Sequence, residues 1–527
     1  MPVNSSYGGN TTDSPISYYP NAVALGADPT GRKDSTSALQ RCLDGAAGTI
    51  CHISAPTRRP PVRLAILASL TIPANTTLDC GVGVPDSEDR IVDYANLSAL
   101  ILVSGATIGA GGEGAAVEHC LIYRSGMRFP APGPDAYEGL AFTDNNHGNF
   151  TLVNDVILGF DSAFYGTGTR PYIRHVFTDC AGATRACIEI DNGNTDSGYI
   201  DDLKIQPLAT GNYGGGVGCA AALRPGVGLK INGINFLGND VVVQNFKTAD
   251  VEIGGLVVAN ELWSDFVVQC RSSRDGPGIK IGKGGALLAS SVNVNGSESG
   301  IHFVTDSREA TSRIGSLFVN MIGQDCVQVG AGGTAAGRIV IDAMFTNNGG
   351  QANCGRYAVN WLDTTSGSSL TINGGALYGV NHNAAPYINI PAKVPASAVR
   401  ISEHIDTDLI NPAALYGAAV IGTCTGLGAT GSCSLVSSSL TTPWQGAIRL
   451  DVTAGPATTG TVPLTWPLTL VNQHGCIAGL TNGSAHWPLA SVELASIDAT
   501  HTALTWTAST ALAAGQSYTI NFHCQPQ

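Results

Sequence analysis

Between Gly228 and Gly379 the sequence repeats a short apolar run, in the forms Asp240-Val-Val-Val-Gln-Asn-Phe, Asp265-Phe-Val-Val-Gln-Cys, Ser291-Val-Asn-Val-Asn, Ser316-Leu-Phe-Val-Asn, Arg338-Ile-Val-Ile-Asp and Ser369-Leu-Thr-Ile-Asn. The steps are 25, 25, 26, 22 and 30 residues when they are counted from Val242 through Val267, Val292, Phe318 and Val340 to Leu370. Clusters of Gly, Asn and Asp separate the runs. A loose period of this length is typical of a solenoid, because one coil cannot bury its apolar face alone and must stack on the next.

These runs predict an all-β fold, a right-handed parallel β-helix. The alternative is a β-sandwich, which also consists of short strands separated by turn residues. Two features favour the β-helix. Val241 to Val243 are apolar on consecutive residues, which suits parallel strands covered on both sides. Asn or Asp often follows a strand, and these residues tolerate the left-handed backbone that a sharp corner requires.

The composition fits an elongated solenoid. At 527 residues the chain is long for one compact domain, but a solenoid core grows in one dimension and escapes that limit. Its 66 Gly, 43% hydrophobic residues and 13% charged residues indicate a turn-rich β protein with a large buried core. No run of about 18 apolar residues is present, so we expect no membrane span.

The net charge of -13 argues against nucleic acid as a partner, because a duplex binder needs a basic footprint. It also does not favour a strongly anionic polymer, unless cations or a local basic groove intervene. We therefore expect neither nucleic acid nor a membrane as a partner.

Fourteen cysteines are an even number and unusually many for a reducing compartment. Met1 opens on a polar stretch, so we expect that any secretory leader has been removed or never existed. Some cysteines are close enough in sequence to be disulfides, although buried free thiols are the alternative: Cys42 and Cys51, Cys180 and Cys187, and Cys424 and Cys433. This cysteine content favours a secreted or extracellular location.

The sequence divides into three parts. Residues 1–21 form a polar N-terminal arm, residues 22–410 form the β-helix with a capping segment at 22–85, and residues 423–527 form a second module. A short helix is predicted in the capping segment, with Asp34 or Ser35 as its cap. It would cover the open end of the solenoid, where the first coil otherwise exposes apolar side chains and unpaired strand edges.

Two stretches near the N-terminus carry a resemblance to a known family: Ala24-Leu-Gly-Ala-Asp-Pro-Thr-Gly-Arg-Lys-Asp34 and its continuation Leu70-Thr-Ile-Pro-Ala-Asn-Thr-Thr-Leu-Asp-Cys-Gly81. They resemble the capping segment and first coil of the pectate-lyase-like β-helix superfamily. That superfamily includes polygalacturonases, rhamnogalacturonan-degrading enzymes and many phage tailspike depolymerases. The resemblance covers about the first 85 residues well and the later coils only by pattern. It implies a β-helix and not a particular substrate, because one scaffold hosts many chemistries.

The C-terminal module has alternating strands separated by turn residues, which predicts an antiparallel β-sandwich. Its strands are Gly446-Ala-Ile-Arg-Leu-Asp-Val, Thr461-Val-Pro-Leu-Thr-Trp, Ser491-Val-Glu-Leu-Ala, Thr502-Ala-Leu-Thr-Trp and Ser517-Tyr-Thr-Ile-Asn-Phe-His-Cys. The module resembles those at the distal end of phage tail fibres and tailspikes, with Cys476 and Cys524 in similar places. This resemblance implies a homotrimer, because such modules commonly cap three parallel β-helices.

A parallel β-helix makes it easy to bring acids together. Equivalent positions of neighbouring coils are about 4.8 Å apart, so acids one or two coils apart lie roughly 5 to 10 Å from one another. That range spans the separations between the two carboxyl groups of glycosidases. Tyr199 and Trp263 are candidates for stacking on a sugar ring. For each acid the alternative is a residue that only caps a turn. The candidate acids are Asp196, Asp202, Asp240, Glu261 and Asp265.

Asn194-Thr-Asp196 resembles the Asn-Thr-Asp motif of polygalacturonases, and Asp201-Asp202 resembles their paired aspartates. In the family the pair belongs to a later coil, whereas here it follows within six residues. The family's Gly-His-Gly and Arg-Ile-Lys motifs are missing, and Gly278-Ile-Lys-Ile-Gly is only a partial match. The resemblance therefore carries roles over to Asp196 and Asp202 alone and does not imply polygalacturonase activity.

A β-eliminating lyase is an alternative activity. It would need a base, and cations that neutralise a uronate. Arg271 and Lys280 are the candidates for binding a sugar acid, in a basic stretch from Arg271 to Lys283 that His302 follows about one coil later. The other interpretation of this stretch is a solvated coil edge. His147 and His175 are isolated and show no metal-ligand spacing, so we predict no metal and no cofactor.

We therefore expect an endo-acting glycoside hydrolase that cleaves a bacterial or plant polysaccharide in a groove of the β-helix. One carboxyl group would donate a proton to the leaving oxygen, and another would activate water or attack the anomeric carbon. The expected location is extracellular or on a virion tail. Two alternatives stay open: a polysaccharide lyase acting on a uronate-containing polymer, and a non-catalytic trimeric spike that binds glycans.

Overall fold

The structure is a computed structural model that describes residues 19–53, 62–81, 99–125, 137–168, 170–191, 198–207, 219, 223–233, 236–266, 268–304, 311–330, 337–346, 354–362, 368–377, 388–391, 398–401, 406–407, 420–436, 445–465, 477–496 and 501–523. Within these residues the strands form one parallel sheet of 20 strands, one parallel sheet of 12 strands and two antiparallel sheets of four strands each. The predicted fold class is confirmed: a right-handed parallel β-helix with an N-terminal helix and a C-terminal antiparallel β-sandwich.

Each full coil of the β-helix visits three faces in turn, which we name the first, second and third faces in chain order. The 12-stranded sheet is the third face. Its strands are Leu70–Ile72, Ile108–Ala110, Leu140–Asn145, Ser162–Thr167, Ile188–Asp191, Val227–Ile231, Ala249–Ile253, Pro277–Ile281, Ser299–Phe303, Val327–Val329, Val359–Trp361 and Ile388–Asn389.

The 20-stranded sheet contains both the first and the second face, because its long strands continue across the corner between them. These long strands are Tyr172–Cys180, Tyr199–Ile205, Phe236–Gln244, Leu256–Asp265, Ala286–Asn295, Thr311–Asn320 and Arg338–Thr346.

Shorter strands continue the two faces toward both ends. On the first face they are Ile50–His52, Thr77–Asp79, Ala116–Glu118, Thr151–Val153, Ser369–Ile372 and Val399–Ile401. On the second face they are Thr30–Asp34, Arg63–Ile66, Ala99–Leu102, Leu121–Arg124, Val156–Phe160, Gly375–Leu377 and Asp406–Thr407.

The interior is built from columns of equivalent residues. Leu262, Val292 and Leu317 lie opposite one another on successive coils of the second face and are at most 3% exposed. Because side chains alternate across a strand, the residues between these columns point outward. Any chemistry on the surface therefore comes from every second residue of a strand and from the corners.

The helix Thr36–Gly45 packs its buried residues Ala38, Leu39, Cys42 and Leu43 against the start of the β-helix, which confirms the predicted cap. Asp34 Oδ1 accepts the backbone N–H of Thr36 over 2.9 Å, while Ser35 occupies the cap position without a side-chain bond to the helix. A short 3₁₀ helix, Val268–Ser273, leads from the second face to the third.

Six disulfides lie within the described residues, and every cysteine described there belongs to one of them. They include the three close pairs identified from the sequence. The pairs are Cys42–Cys51, Cys80–Cys120, Cys180–Cys187, Cys219–Cys270, Cys326–Cys354 and Cys424–Cys433.

The two antiparallel sheets lie in the C-terminal part of the chain and share a core that includes Trp506 and Tyr518, both at most 1% exposed. One sheet contains Val420–Ile421, Thr459–Thr465, His501–Ala508 and Ala490–Ser496. The other contains Ser432–Leu435, Gln445–Asp451, Ser517–His523 and Ile477–Asn482. Cys476, Cys524 and most of the arm at 1–21 lie outside the described residues, and the domain boundaries stay a prediction.

Candidate active site

Three acids follow one another at the corner between the first and second faces. The strand pairs on either side of the corner place Asp202 opposite Asp240, and Asp240 opposite Glu261 on the next coil. Neighbouring coils are about 4.8 Å apart. Asp202 and Asp240 both have left-handed backbone, with φ of 50° and 47°, a conformation that Asp tolerates better than most residues. The corner therefore brings together acids that are far apart in the sequence.

Asp240 lies between the other two acids and feels both of their charges. Partial burial raises the pKa of its carboxyl group, and the negative charges of Asp202 and Glu261 raise that pKa further. The ammonium group of Lys204 acts in the opposite direction. A carboxyl group with a raised pKa keeps its proton to a higher pH and can therefore donate it to a leaving group.

Each flanking acid is held by a hydrogen bond. The indole Nε1–H of Trp263 donates to Glu261 Oε1 over 2.7 Å. His175 Nδ1 lies 2.7 Å from Asp202 Oδ2. A bonded donor orients a carboxylate and stabilises its negative charge. The corner thus combines one carboxyl group whose pKa is raised with two neighbouring carboxyl groups that accept hydrogen bonds.

Asp265 lies at the end of the strand Leu256–Asp265, four residues beyond Glu261 on the second face. Burial raises the pKa of its carboxyl group, although a hydrogen bond from Asn295 opposes this shift. Asn295 Nδ2 donates to Asp265 Oδ1 over 2.8 Å, and Gln244 Nε2 donates to Oδ2 over 3.3 Å. Asp265 is therefore a second acid whose pKa is raised by burial, at the opposite edge of the same face.

A buried ion pair supports this edge from inside the coil. Arg274 Nη2 lies 3.0 Å from Asp250 Oδ1, and both side chains are fully buried. The Ser264 hydroxyl donates to Asp250 Oδ2 over 2.6 Å, and the Arg274 guanidinium lies 4.4 Å from the ring centre of Phe266. Ser264 and Phe266 flank Asp265. The ion pair of Asp250 and Arg274 therefore fixes the backbone that carries Asp265.

A groove with a cavity volume of about 860 Å³ runs along the outside of the second face. Trp263 and Phe318 are 40% and 41% exposed there, and the rings of Phe318 and Phe345 are stacked with centres 5.0 Å apart. The groove follows one outward column of side chains that crosses successive coils: Lys204, Val242, Trp263, Asn293, Phe318, Phe345 and Ala376.

Four of the residues identified from the sequence line this groove: Asp240, Glu261, Trp263 and Asp265. Asp202 lies one coil before Asp240 at the same corner. The structure thus gathers residues from three coils on one surface, because equivalent positions of a parallel β-helix stack in register.

Other candidates lie elsewhere. Tyr199 is on the first face, where its ring stacks on that of Tyr172 with centres 5.2 Å apart. Lys280 is on the third face, and its ammonium group lies 3.3 Å from Glu252 Oε1. These two side chains are not part of the groove, because they precede or follow the second face in their coils. Arg271 lies in the 3₁₀ helix with its side chain undescribed, and Asp196 lies outside the described residues.

Several groove residues were missed from the sequence: Lys204, Gln244, Asn293, Asn295, Phe318 and Phe345. The signal that could have identified them is the alternation within each strand. Phe318, for example, lies between the buried residues Leu317 and Val319 and must point outward. Its ring stacks on that of Phe345, and contiguous exposed apolar side chains, unlike single ones, are typical of an interaction surface.

Three basic residues considered for a lyase, Arg274, Lys280 and His302, do not line this groove. Arg274 is buried against Asp250, and His302 Nε2 lies 2.7 Å from the carbonyl oxygen of Gly330 beside the third face. Among the residues that the structure describes, no cluster of three or more His, Cys, Asp or Glu side chains is arranged to hold a metal ion. No helix in the described ranges is long and apolar enough to span a membrane.

Solved structures similar to this chain include two tailspike proteins and a glucanase. A tailspike protein double mutant of E. coli bacteriophage HK620 in complex with pentasaccharide is 11% identical, with a TM-score of 0.46 over 96% of this chain and 94% of that chain. The Dettilon tailspike protein is 11% identical, with a TM-score of 0.43 over the same shares, 96% and 94%.

The catalytic unit of the GH87 α-1,3-glucanase from Streptomyces thermodiastaticus strain HF3-3 is 13% identical, with a TM-score of 0.39 over 76% of this chain and 70% of that chain. No protein-family model matches the sequence, and no curated protein sequence matches it either.

Proposed function

We propose that the protein is a polysaccharide-degrading enzyme, an endo-acting glycoside hydrolase whose active site is the acid corner and the groove beside it. The observation that carries this proposal is the arrangement of Asp240 and Glu261. They lie on neighbouring coils at one corner, they line one aromatic groove, and burial and like charge raise the pKa of Asp240. Two carboxyl groups in different protonation states are what glycoside hydrolysis requires.

In this mechanism Asp240 is the general acid. Its proton passes to the glycosidic oxygen as the bond to the anomeric carbon breaks. Glu261 is the ionised partner, which either attacks the anomeric carbon or takes a proton from the attacking water. The Trp263 N–H, which donates to Glu261 Oε1 over 2.7 Å, orients that carboxylate. In the first case the attack leaves a glycosyl ester on Glu261, which water then hydrolyses while Asp240 takes the proton of that water, so both carboxyl groups return to their starting states. In the second case Asp240 is left ionised and Glu261 protonated, and exchange with solvent restores the starting state.

The groove favours a polymer that is neutral or weakly charged. Its acids outnumber the cation Lys204, so a densely anionic chain would be repelled unless other cations intervened. Amide groups of Gln244, Asn293 and Asn295 supply hydrogen-bond donors and acceptors for sugar hydroxyls.

The outward column from Lys204 to Ala376 crosses seven coils, a length of about 29 Å. Such an open surface suits cleavage within a long chain.

We propose further that the protein works outside the cell or on a virion tail, as a homotrimer. The six disulfides among the described residues fit an oxidising environment. The trimer is supported by the sequence resemblance of the C-terminal module to tailspike modules. Light scattering of the purified protein should give three times the monomer mass of 54.1 kDa, and a monomeric mass would refute the trimer.

The function can be tested with a panel of purified neutral and acidic polysaccharides. We expect the protein to release reducing ends and shorten at least one neutral polymer, and the Asp240→Asn variant to be inactive on it. Asn tolerates the left-handed backbone at position 240, where φ is 47°, so this variant should fold. The matched control is Glu252→Gln on the third face, which also neutralises an acid but lies outside the groove.

Each alternative gives a different result in the same panel. Products that absorb ultraviolet light as unsaturated uronates would show a lyase instead. Binding without any shortening of the polymer would show a non-catalytic glycan-binding spike. Full activity of the Asp240→Asn variant would refute the site while leaving a hydrolase possible elsewhere on the chain.

A further inference from the structure

His175 occupies an unusual place beside the acid corner. It has left-handed backbone, with φ of 51°, and its side chain is 43% exposed. A non-glycine residue in this conformation is uncommon. The strand pairs around it place His175 opposite Asp202, and its Nδ1 lies 2.7 Å from Asp202 Oδ2. The histidine is therefore bonded to Asp202 on the next coil and lies two coils before Asp240.

The corner thus continues as a row of four titratable side chains on successive coils: His175, Asp202, Asp240 and Glu261. Adjacent members are about 4.8 Å apart along the row, measured between coils. At this distance the charge of one member acts on the next, because charges near a protein surface interact through an effective dielectric well below that of water.

Other charged groups border this row. On the first-face side Arg174 Nε lies 3.4 Å from Asp201 Oδ2, and the negative charge of Asp201 adds to those that raise the pKa of Asp240. On the second-face side Lys204 acts on Asp240 and favours its ionised form. On the coil before His175, the corner residue is the uncharged Asn154. His175 is therefore the titratable group that lies in direct contact with Asp202 on the side away from Asp240.

We propose that His175 is a positioning residue of the active site, which through its hydrogen bond to Asp202 sets the pH range over which Asp240 holds its catalytic proton. This proposal rests on the proposed hydrolase function. A neutral imidazole donates its Nδ1–H to Asp202 and leaves the full negative charge of that carboxylate beside Asp240. A protonated imidazole offsets the charge, so Asp240 releases its proton at a lower pH. Histidine is the side chain that ordinarily changes charge between pH 5 and 8.

This arrangement predicts opposite effects for the two members of the pair. The His175→Asn variant keeps a donor nitrogen near the position of Nδ1 and tolerates left-handed backbone, but it cannot become positively charged. Asp240 should then keep its proton up to a higher pH, and the alkaline limb of the pH profile of kcat/KM should move to higher pH by about half a unit. The Asp202→Asn variant removes the negative charge, so the same limb should move to lower pH.

The chain offers a matched control for the histidine change. His119 lies at the same corner, two coils before His175, and has φ of 58°. Its Nδ1 lies 3.1 Å from Asp79 Oδ1, so it too is bonded to an acid. The His119→Asn variant makes the same chemical change in the same backbone conformation without touching the acid row. It should leave the pH profile of the wild-type protein unchanged.

The experiment measures kcat/KM between pH 4 and 9 for the wild-type protein and the three variants, on a polysaccharide that the wild-type protein shortens. Opposite shifts for His175→Asn and Asp202→Asn, with none for His119→Asn, support the proposal. No shift for His175→Asn, or a shift in the same direction as Asp202→Asn, overturns it.

A second readout separates this inference from the proposed function. NMR spectra of ¹³C-labelled histidine, with the His175 signals assigned from the His175→Asn spectrum, should show that the Asp202→Asn change shifts the ring signals of His175, because its Nδ1 contacts Asp202 Oδ2. This holds whether or not the protein cleaves a polysaccharide. A shift of the His175 signals without any hydrolysis would refute the function and keep the pair, and unchanged His175 signals would refute the pair itself.

Discussion

The outward sides of the second and third faces share one coil geometry and differ in how they distribute charge. On the third face, Lys230 Nζ lies 3.1 Å from Glu189 Oε1, and Lys280 Nζ lies 3.3 Å from Glu252 Oε1. These acids and bases alternate from coil to coil. At the edge of the second face, by contrast, an acid lies one coil from another acid. Alternating charges stabilise one another, whereas stacked acids repel one another, and such repulsion is frequent at functional sites.

The largest expected effect concerns the acids of the second face. The Glu261→Gln change should lower kcat by about a thousandfold, because a positioned acid or base typically contributes 10² to 10⁴ in rate. Reducing-end release measures it. The Glu252→Gln variant of the third face should keep wild-type kcat, and equal losses in both variants would abolish the distinction between the two faces.

The next effect separates buried charge pairs from those on the surface. The Arg274→Met change should lower the free energy of unfolding by about 3–5 kcal/mol, because it leaves Asp250 buried without its ion-pair partner. Denaturant unfolding measures the loss. Adding Asp250→Asn to this variant should restore part of the stability, and a double variant as unstable as the sum of the single ones would contradict the explanation.

The buried carboxyl group of Asp155 predicts a dependence of stability on pH. It is fully buried beneath the corner, and burial raises the pKa of its carboxyl group well above the usual value. The folded state therefore binds this proton more tightly than the unfolded state. The resulting stabilisation is present below about pH 4 and is lost as pH rises toward the folded-state pKa.

The free energy of unfolding of the Asp155→Asn variant should accordingly increase relative to that of the wild-type protein as pH rises from 4 to 8. The gain is about 1.4 kcal/mol for each unit by which the folded-state pKa exceeds the unfolded one. Unfolding midpoints at several pH values measure it. A difference between the two proteins that stays constant with pH would show that Asp155 does not keep its proton in the folded state.

A smaller effect concerns the hydrogen bond that orients Glu261. The Trp263→Phe change keeps an aromatic ring in the groove and removes the Nε1–H that donates to Glu261 Oε1. We expect kcat to fall about tenfold, which corresponds to the roughly 1.4 kcal/mol that such a charge-assisted bond is worth. The KM should change little because the ring stays. A large rise in KM with unchanged kcat would mean that Trp263 only binds substrate.

The smallest effect belongs to the third face. The Lys280→Gln change breaks a surface ion pair with Glu252, and such pairs contribute at most about 1 kcal/mol. We expect unchanged activity and a barely altered unfolding midpoint. A clear loss of activity would mean that the third face takes part in the reaction, as the lyase hypothesis would require.

Much of the fold follows from local sequence patterns. The repeated runs from Asp240 to Leu370 predict stacked coils, and the helix Thr36–Gly45 is recognisable from its cap and apolar stripe. The close pair Cys42 and Cys51 is also readable as a disulfide. These features depend on neighbours along the chain, so periodicity and turn chemistry are sufficient to identify them.

The site depends on contacts between coils, and sequence patterns identify it only in part. Asp240 and Glu261 were recognisable as acids near strand starts, and Phe318 was missed although its position between two apolar residues marks it as outward. The sequence also indicates Tyr199 and Lys280 as candidates for binding substrate, and the structure places both outside the groove. Their side chains point outward as expected, but from the first and third faces.

The sequence by itself determined that short strands repeat, where they turn, and which side chains point away from the core. Only the tertiary structure decided which of those side chains share a face and lie opposite one another. The physical reason is that the number of residues between successive strands varies, so distance along the chain does not give the position within a coil. The hydrogen-bonded register between strands gives that position. It places His175, Asp202, Asp240 and Glu261 in one row.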